Sequence, residues 1–291
     1  MKRLLITGKT SYIAQSVKAY LEKFPDSFQV ETISLRGEEW KSASFRGFDA
    51  VLHTAGMVHQ PDTKDDPAQL ENYRAVNTRL TQAAAKKAKA EGVGQFLFLS
   101  SESVYGLTAP LGKTVTITAD TPLSPRDNYG ISKLEAEEAL GALADENFHV
   151  AILRPPVVYG RGCKGNYQTL SKMAKKLPFF PDVRNSRSML YMDNLSELIR
   201  LLIEDGASGT FCPQNSEYVS TSDLVNLIAH AHGRDILMVK GVTWALKLLR
   251  PVTGAVDKAF GSLRYDKSLS AYPKNYCITD LPTSVLETEA E

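Results

Sequence analysis

Cysteine is scarce in this chain: among 291 residues there are three, Cys163, Cys212 and Cys277, far apart and with no CxxC pair. That spacing argues against a disulfide framework or a cysteine zinc site, and for a reducing compartment. An excess of either charge is lacking too. Lysine and arginine total 34 against 33 acidic residues, so no global field draws the protein to nucleic acid or to an anionic membrane. Long apolar runs are missing: nothing approaches the roughly 20 residues that a spanning helix needs, and the apolar start of MKRLLITG is too short for a signal peptide. No metal site is expected, and the cytoplasm is the expected location. Glycine is missing where it would be most telling. In TGKTSYIA (7–14) only Gly8 is a glycine, with Ser11 and Ala14 where a phosphate-cradling turn carries others.

What is present is an alternation. KRLLIT (2–7), FQVETIS (28–34), FDAVLHTA (48–55), QFLFLSS (95–101) and HVAILRP (149–155) read as nearly continuous apolar strands, with helices expected over 11–24, 68–91 and 127–144. Buried strands each followed by a helix imply a parallel sheet covered on both faces. The expected fold is α/β, a Rossmann-type doubly wound parallel sheet. Only residues 36–48 separate Leu35 from Asp49. Two crossovers and an additional strand do not fit there, since one crossover with its helix takes about 10–12 residues. The edge strand beyond the second is therefore expected to be reduced or missing. The first domain is placed at 1–160 and a smaller α+β substrate region at 161–291, interleaved with it and joined by no flexible linker. Helices are expected there at 165–176, 193–205, 221–232 and 243–250, with STSD (220–223) as a capping box and Gly233 as a helix stop. The polar tail after about Thr283 is expected to fray.

Two motifs carry chemistry. The first strand runs into Gly8 and a helix opens near Ser11, which aims backbone N–H groups and a positive dipole end at the position of a pyrophosphate. Ser11 and Ala14 are the smallest replacements for glycine, so a slightly wider loop would still serve; alone, the motif is equally a plain strand-to-helix turn. YGISK (129–133) puts a phenol and an ammonium four residues apart on one helix face. Upstream, SSESVYG (100–106) supplies a hydroxyl at a strand end. Hydroxyl, tyrosine and lysine beside a nicotinamide would form a proton-transfer site for alcohol–ketone chemistry. A free tyrosine, with a pKa near 10, is a poor base at neutral pH. A cation about 4 Å away contributes on the order of 4 kcal/mol at an effective dielectric near 20, roughly three pK units, so Tyr129 is expected to titrate near the operating pH. A surface tyrosine and a surface lysine would explain YxxxK standing alone.

TGKTSYIA, FDAVLHTAG (48–56), YRAVN (73–77), FLFLSSESVYG (96–106), YGISK, LRPPVVYGRG (153–162) and RSMLYMDNL (187–195) occur together. In them the chain resembles the extended short-chain dehydrogenase/reductases of the NAD-dependent epimerase/dehydratase family, which act on nucleotide sugars. The resemblance implies Tyr129 as catalytic acid/base, Lys133 as the residue that binds the nicotinamide ribose and lowers the tyrosine pKa, and Ser101 as a hydrogen-bond partner of the reacting sugar oxygen. It implies Gly8, Lys9, Ser11, Tyr12 and Ile13 around the cofactor phosphates, and Ala55, Asn77 and Pro155 along the cofactor. Asn166 and Arg187 would face the substrate diphosphate, Arg187 by its forked donors; a surface salt bridge is the alternative for Arg187. His59, Glu102 and Ser103 would lie near the sugar, with a structural histidine as the alternative for His59. The implied substrate is a nucleotide-diphosphate sugar, UDP-linked, and the implied assembly a homodimer.

Three departures from the family pattern stand out: Ser11 for the second glycine, Val157 where many epimerases carry asparagine, and the thin 36–48 segment, which leaves the adenine end open. The second strand ends TISLRG, with Ser34 and Arg36 and no carboxylate before Glu38. A carboxylate there would suit NAD, whereas cations suit the 2′-phosphate of NADP. With Lys9 nearby, the NAD(P) site is expected to favour NADP(H). Glu102 followed by Ser103 replaces the acid–acid pair of the family's dehydratases, which leaves epimerase or 4-ketoreductase. A non-catalytic dinucleotide sensor that binds a protein partner is the alternative, opposed by the intact Ser101, Tyr129 and Lys133. VTWALKLLRPVTGAVDKAF (242–260) is expected to pack against the substrate region rather than lie in a membrane interface. EAEEAL (135–140) reads as a solvated helix face or part of a dimer interface.

Overall fold

The computed structural model describes residues 1–57, 67–249 and 255–290. Along the chain run β1 (Lys2–Thr7), α1 (Tyr12–Leu21), β2 (Phe28–Ile33), β3 (Ala50–His53), α2 (Pro67–Tyr73), α3 (Leu80–Ala90), β4 (Gln95–Leu99), β5 (Thr114–Ile117), α4 (Asn128–Gly141) and β6 (His149–Leu153). Then follow β7 (Val157–Tyr159), α5 (Asn166–Lys176), β8 (Phe179–Pro181), β9 (Met189–Tyr191), α6 (Met192–Glu204) and β10 (Gly209–Phe211). The chain closes with α7 (Thr221–Ala231), β11 (Leu237–Val239), α8 (Thr243–Leu249), α9 (Ala255–Phe260), β12 (Ser262–Tyr265) and α10 (Leu281–Glu289).

Six strands form one sheet in the order β10-β6-β4-β3-β1-β2, every pair parallel. β3 and β4 are buried at every residue, as continuous apolar runs require when both faces of a sheet are covered. The winding reverses at β1, which has β2 on one side and β3 on the other. Open sheets of this kind bind ligands in the crevice at the carboxyl ends of such a reversal.

β2 is the edge of the sheet: among the described residues the strand beyond it is missing, as expected. In its place the 34–49 connection makes a single 3-10 turn at Glu39–Lys41. It buries Trp40, Phe45 and Phe48 in a core shared with Phe96, Phe98, Phe148 and the α3 alanines Ala84, Ala85 and Ala88. An aromatic side chain buries roughly 150–250 Å², so three of them cover the sheet where a short crossover helix would otherwise lie. The end of α3 fixes the segment in place. The Phe45 amide donates to Glu91 Oε2 at 2.5 Å and Lys87 Nζ to the Lys41 carbonyl at 3.0 Å.

The helix expected over 68–91 is interrupted. A π-helical stretch, Arg74–Arg79, joins α2 to α3 and carries the buried Asn77. Such wide turns inside helices commonly mark functional positions.

Two compact units interleave along the sequence. The first contains Met1–Gly106, Pro122–Pro155 and Leu195–Cys212; the second contains Leu107–Thr121, Pro156–Asn194 and Pro213–Glu291. One dividing line near residue 160 therefore becomes several crossings. In the first unit, β10 lies beside β6, and the buried Gln95 donates through Nε2 to the carbonyls of Leu202 (2.8 Å) and Ala207 (2.9 Å). The second unit is built on three two-stranded parallel ladders, β5–β12, β7–β9 and β8–β11. Helix α7 starts as expected, with Ser220 Oγ accepting from the Asp223 amide at 3.4 Å.

Three expectations are corrected. The tail after Thr283 is helical, because Asp280 caps α10 through the Thr283 amide (2.9 Å) and Ser284 and Val285 are buried. EAEEAL is not a solvated face: Ala136, Glu137 and Leu140 are all buried. The 242–260 segment packs only in part: Val256 and Phe260 are buried, whereas Trp244 is 67% and Leu248 69% exposed. Arg250 in that segment lies outside the described residues. Among the described residues, no helix is long and apolar enough to cross a membrane.

Candidate active site

The turn between β1 and α1 is tighter than its single glycine suggests. Gly8 holds φ +86°, and a Cβ there would stand 2.8 Å from both the Ala55 amide nitrogen and Thr54 Oγ1. Only glycine accepts that backbone and that approach. Ser11 is more than a small stand-in for glycine. It is the N-cap of α1: its Oγ accepts from the Ala14 amide at 3.0 Å and bonds Thr54 Oγ1 at 2.8 Å, while Thr54 Oγ1 donates to the Thr7 carbonyl at 2.6 Å. A serine thus stitches the ends of β1 and β3 together at the winding reversal, a task glycine could not perform. The amides of Gly8 and Lys9 are satisfied by the Ile33 carbonyl (3.0 and 3.3 Å) and that of Ser11 by the Gly8 carbonyl (2.7 Å). Lys9, Ser34 and Arg36 are exposed, and the Arg36 amide donates to Ser34 Oγ at 3.2 Å.

Across the sheet, α4 presents Tyr129 and Lys133 on one face. Its N-cap is Asp127, whose carboxylate accepts from the Gly130 amide at 2.6 Å. Gly130 lets this end approach the Ser101–Tyr105 turn closely: a Cβ there would lie 2.6 Å from the Ser103 carbonyl. Ser101 Oγ accepts from the Ser103 amide and donates to Ser103 Oγ, both at 3.2 Å, and it also hydrogen-bonds Tyr129. The expectation for the phenol is corrected. Burial pushes Tyr129 up to about 12, with the Ser101 hydrogen bond acting in the opposite direction. Lys133 is anchored to the end of β4. Its Nζ donates to the Leu99 carbonyl at 2.8 Å, lies 4.7 Å from the Phe98 ring centroid, and is 5.8 Å from the centre of the Tyr129 ring. Burial lowers Lys133 to about 8, opposed by the charge of Glu137.

Asn77 closes this cluster. Its Oδ1 accepts from the Met57 amide (2.7 Å), and its Nδ2 donates to the Met57 carbonyl (3.2 Å) and to Ser132 Oγ (3.1 Å). Behind it, Thr81 Oγ1 donates to the Asn77 carbonyl at 2.7 Å. That uses the hydroxyl proton, so the contact between Thr81 Oγ1 and His53 Nε2, 2.9 Å, has histidine as donor. His53 Nδ1 then accepts from Thr7 Oγ1, also 2.9 Å away. Burial, with the nearby Lys133 charge adding to it, lowers His53 to about 3 and keeps it neutral at pH 7. Gly56 allows the close packing here, since a Cβ would lie 3.0 Å from Asn77 Oδ1 and 3.5 Å from Lys133 Nζ.

The sequence profile described as the NAD dependent epimerase/dehydratase family matches residues 4–211. The chain belongs to that family. A UDP-glucose 4-epimerase of Vibrio cholerae is 32% identical over 273 residues, 90% of this chain and 82% of that one. Among solved structures, the UDP-glucuronic acid 4-epimerase of Bacillus cereus in complex with NAD superposes with TM-score 0.70 at 16% identity, covering 98% of this chain and 96% of that one. RMD of Pseudomonas aeruginosa complexed with NADPH gives 0.71 at 20% identity, covering 99% of both chains. At these identities the structural likenesses show the fold, a parallel central sheet of Rossmann type.

For this member of the epimerase/dehydratase family, the first unit brings together Gly8, Ser11, Ala55, Asn77, Ser101, Tyr129 and Lys133 around the carboxyl ends of β1, β3 and β4. Tyr12 and Ile13 open α1 beside Gly8. The Glu102 amide donates to the carbonyl of the buried Pro155 at 3.1 Å. Asn166 and Arg187 belong to the second unit. Asn166 is exposed at the start of α5, after Gly165 with φ +94°, and Arg187 Nη1 donates to the carbonyls of Lys258 and Gly261, the latter at 3.4 Å. Val157 opens β7. His59 lies outside the described residues.

Sequence reasoning missed a buried ion pair. Arg154 grips Glu137, with Nε 3.1 and 3.2 Å from its two oxygens and Nη2 2.6 Å from Oε2, and its Nη1 donates to Tyr105 Oη at 3.0 Å. Ser100 Oγ also donates to Glu137. The pair ties the end of β6, helix α4 and the Ser101–Tyr105 turn into one frame behind the catalytic candidates. The signal was available: Glu137 continues the four-residue stripe of Tyr129 and Lys133. RSMLYMDNL was read for Arg187 alone, yet Ser188 donates to Gln214 Oε1 (2.6 Å) and Asn194 to Asn215 Oδ1 (3.0 Å), both buried.

Proposed function

We propose that this enzyme transfers hydride and proton at C4 of a nucleotide-diphosphate sugar, UDP-linked, as a 4-epimerase or 4-ketoreductase using NADP(H) in preference to NAD. The observation that supports it most directly is the hydrogen bond between Ser101 and Tyr129, with Lys133 one helical turn further along α4. The residues fit a dinucleotide: a positive-φ glycine packed on Ala55 sits in the turn just ahead of a ten-residue helix capped by Ser11, and Gly56 lies beside Asn77 and Lys133. A bound nicotinamide would supply the hydride donor or acceptor.

The protein's own part is the proton. With its phenol at about 12, Tyr129 carries its proton at neutral pH, which suits donation to a ketone oxygen. Ser101 holds that oxygen and the phenol in one hydrogen-bonded line. Running the reaction towards the ketone requires Tyr129 to take a proton, and Lys133, with Nζ 5.8 Å from the centre of its ring, supplies a cation to favour that. Lys133 also offers its ammonium to ribose hydroxyls. Ser34, Arg36 and Lys9, exposed at the adenine end, support the preference for a 2′-phosphate. In the second unit, Asn166 and Arg187 are the proposed diphosphate contacts. Assembly as a homodimer is part of the proposal.

The test is to denature purified protein, identify any released dinucleotide by mass, and compare NADPH with NADH binding to the emptied protein. Retained NAD in near-stoichiometric amount would overturn the NADP(H) preference and favour an epimerase that recycles its cofactor. Tyr129→Phe should keep dinucleotide binding while lowering turnover of a UDP-sugar by about 10²–10⁴-fold. Unchanged turnover would remove Tyr129 from the reaction.

A further inference from the structure

Among the described residues, six of the ten large hydrophobic side chains that stand exposed fall in two segments of the second unit, 173–179 and 237–248. Met173 and Leu177, each 39% exposed, lead into β8, where Phe179 is 56% exposed. Phe179 is the ladder partner of Leu237 on β11, itself 67% exposed, so the pairing sets the two side by side. After Lys240, Gly241 and Val242 the chain enters α8, where Trp244 and Leu248 lie four residues apart on one helical face. Scattered exposed apolar residues are ordinary in soluble proteins, but a contiguous group marks an interaction surface.

Within these two segments the charges are of one sign. Residues 172–181 and 236–249 contain Lys172, Lys175, Lys176, Lys240 and Lys247 and no acidic residue, whereas the whole chain carries +1, so the remainder carries −4. Asp182 and Asp235 bound the two segments. Lys175 is paired with Glu289 at 2.9 Å. Cations around an exposed aromatic and aliphatic group are the composition of surfaces that insert shallowly into a lipid interface and attract its anionic headgroups.

We infer that the β8–β11 ladder edge, with the end of α5 and with α8, docks the enzyme reversibly on membranes of anionic phospholipid. The inference is independent of the catalytic reading, since none of these residues belongs to the candidate active site. The lysines draw the surface to phosphate headgroups, and Phe179, Leu237, Trp244 and Leu248 enter the headgroup boundary.

The protein carries its own reporter. Its two tryptophans differ: Trp40 is 4% exposed and Trp244 is 67% exposed, so a change in quencher access reads Trp244. Intact protein is mixed with vesicles of mixed phosphatidylglycerol and phosphatidylcholine, or of phosphatidylcholine alone, and followed by co-sedimentation and by acrylamide quenching of tryptophan emission. Anionic vesicles should pellet the protein, shift Trp244 emission to the blue and shield it; neutral vesicles should do neither, and high salt should release it. Lys240→Gln should weaken binding about fivefold, and Phe179→Ser with Leu237→Ser should abolish it with turnover unchanged. Absence of anionic-vesicle binding at low salt overturns the inference, as does equal binding to neutral vesicles. Trp244 shielded without vesicles, in a dimer that Phe179→Ser dissociates, also overturns it by assigning the face to a second copy of the chain.

Discussion

His53 makes the protein's stability depend on acid in a way that can be isolated from every other titration. The residue is fully buried between Thr7 and Thr81, and its folded pKa of about 3 lies below the ordinary 6.5. Between those values the unfolded chain binds a proton that the folded chain refuses. Stability from this group is therefore complete above pH 6.5 and falls as pH drops towards 3. Linkage gives about 2 kcal/mol lost by pH 5 and about 3 kcal/mol by pH 4. The perturbation is His53→Asn, which keeps an amide for hydrogen bonding and removes the titration. Urea unfolding at pH 7, 6, 5 and 4, with a common m-value, reads both proteins. The variant starts less stable at pH 7 because it leaves a cavity, but its decline with acid should be shallower by those amounts, since all carboxylates are shared. Parallel curves would refute the reasoning. They would mean that His53 protonates in place, or that the Thr7–His53–Thr81 chain opens before the protein unfolds.

Two further outcomes follow from the geometry. Gly130→Ala places a Cβ 2.6 Å from the Ser103 carbonyl, so the start of α4 must shift and carry Tyr129 from Ser101. A displacement near 1 Å costs about 10²-fold in kcat/KM, whereas Gly141→Ala, with nothing within 4 Å, should leave turnover unchanged. Glu137→Gln leaves the Arg154 guanidinium, with a side chain 12% exposed, without its charge partner. Urea unfolding should show a loss of about 3 kcal/mol, largely recovered in the double variant Glu137→Leu with Arg154→Met.

The parallel sheet was legible because its strands are continuous apolar runs, and the missing edge strand because residues 36–48 are too few to build one. Periodicity could not show that Trp40, Phe45 and Phe48 would serve as the cover, since each is a lone aromatic in a polar stretch. Helix signals over 68–91 were genuine, but the π-helical insertion at Asn77 leaves no mark in a 3.6-residue pattern. Ser101, Tyr129 and Lys133 were legible by spacing. Their proton affinities were not: a sequence places a lysine one turn from a tyrosine, but the burial that raises one pKa and lowers the other depends on how deeply α4 packs on β4. Ser11 was legible only as a small replacement for glycine, because its role as cap and stitch needs Thr54, forty-three residues away.

The return of residues 195–212 to the first unit has a consequence for how the protein is made. When Pro155 leaves the ribosome, β6 is still the outer strand of the sheet, and the amide of Gln95 lacks the Leu202 and Ala207 carbonyls that will satisfy it. The 57 residues up to Cys212 take roughly 3–11 s to synthesise, and during that interval the nascent dinucleotide fold presents an unpaired strand edge and a buried amide without acceptors. Completion of the sheet is thereby deferred until most of the second unit's first half has emerged. A fragment that stops after β6 is an unfinished sheet, and a peptide spanning 195–212 is the piece that would complete it.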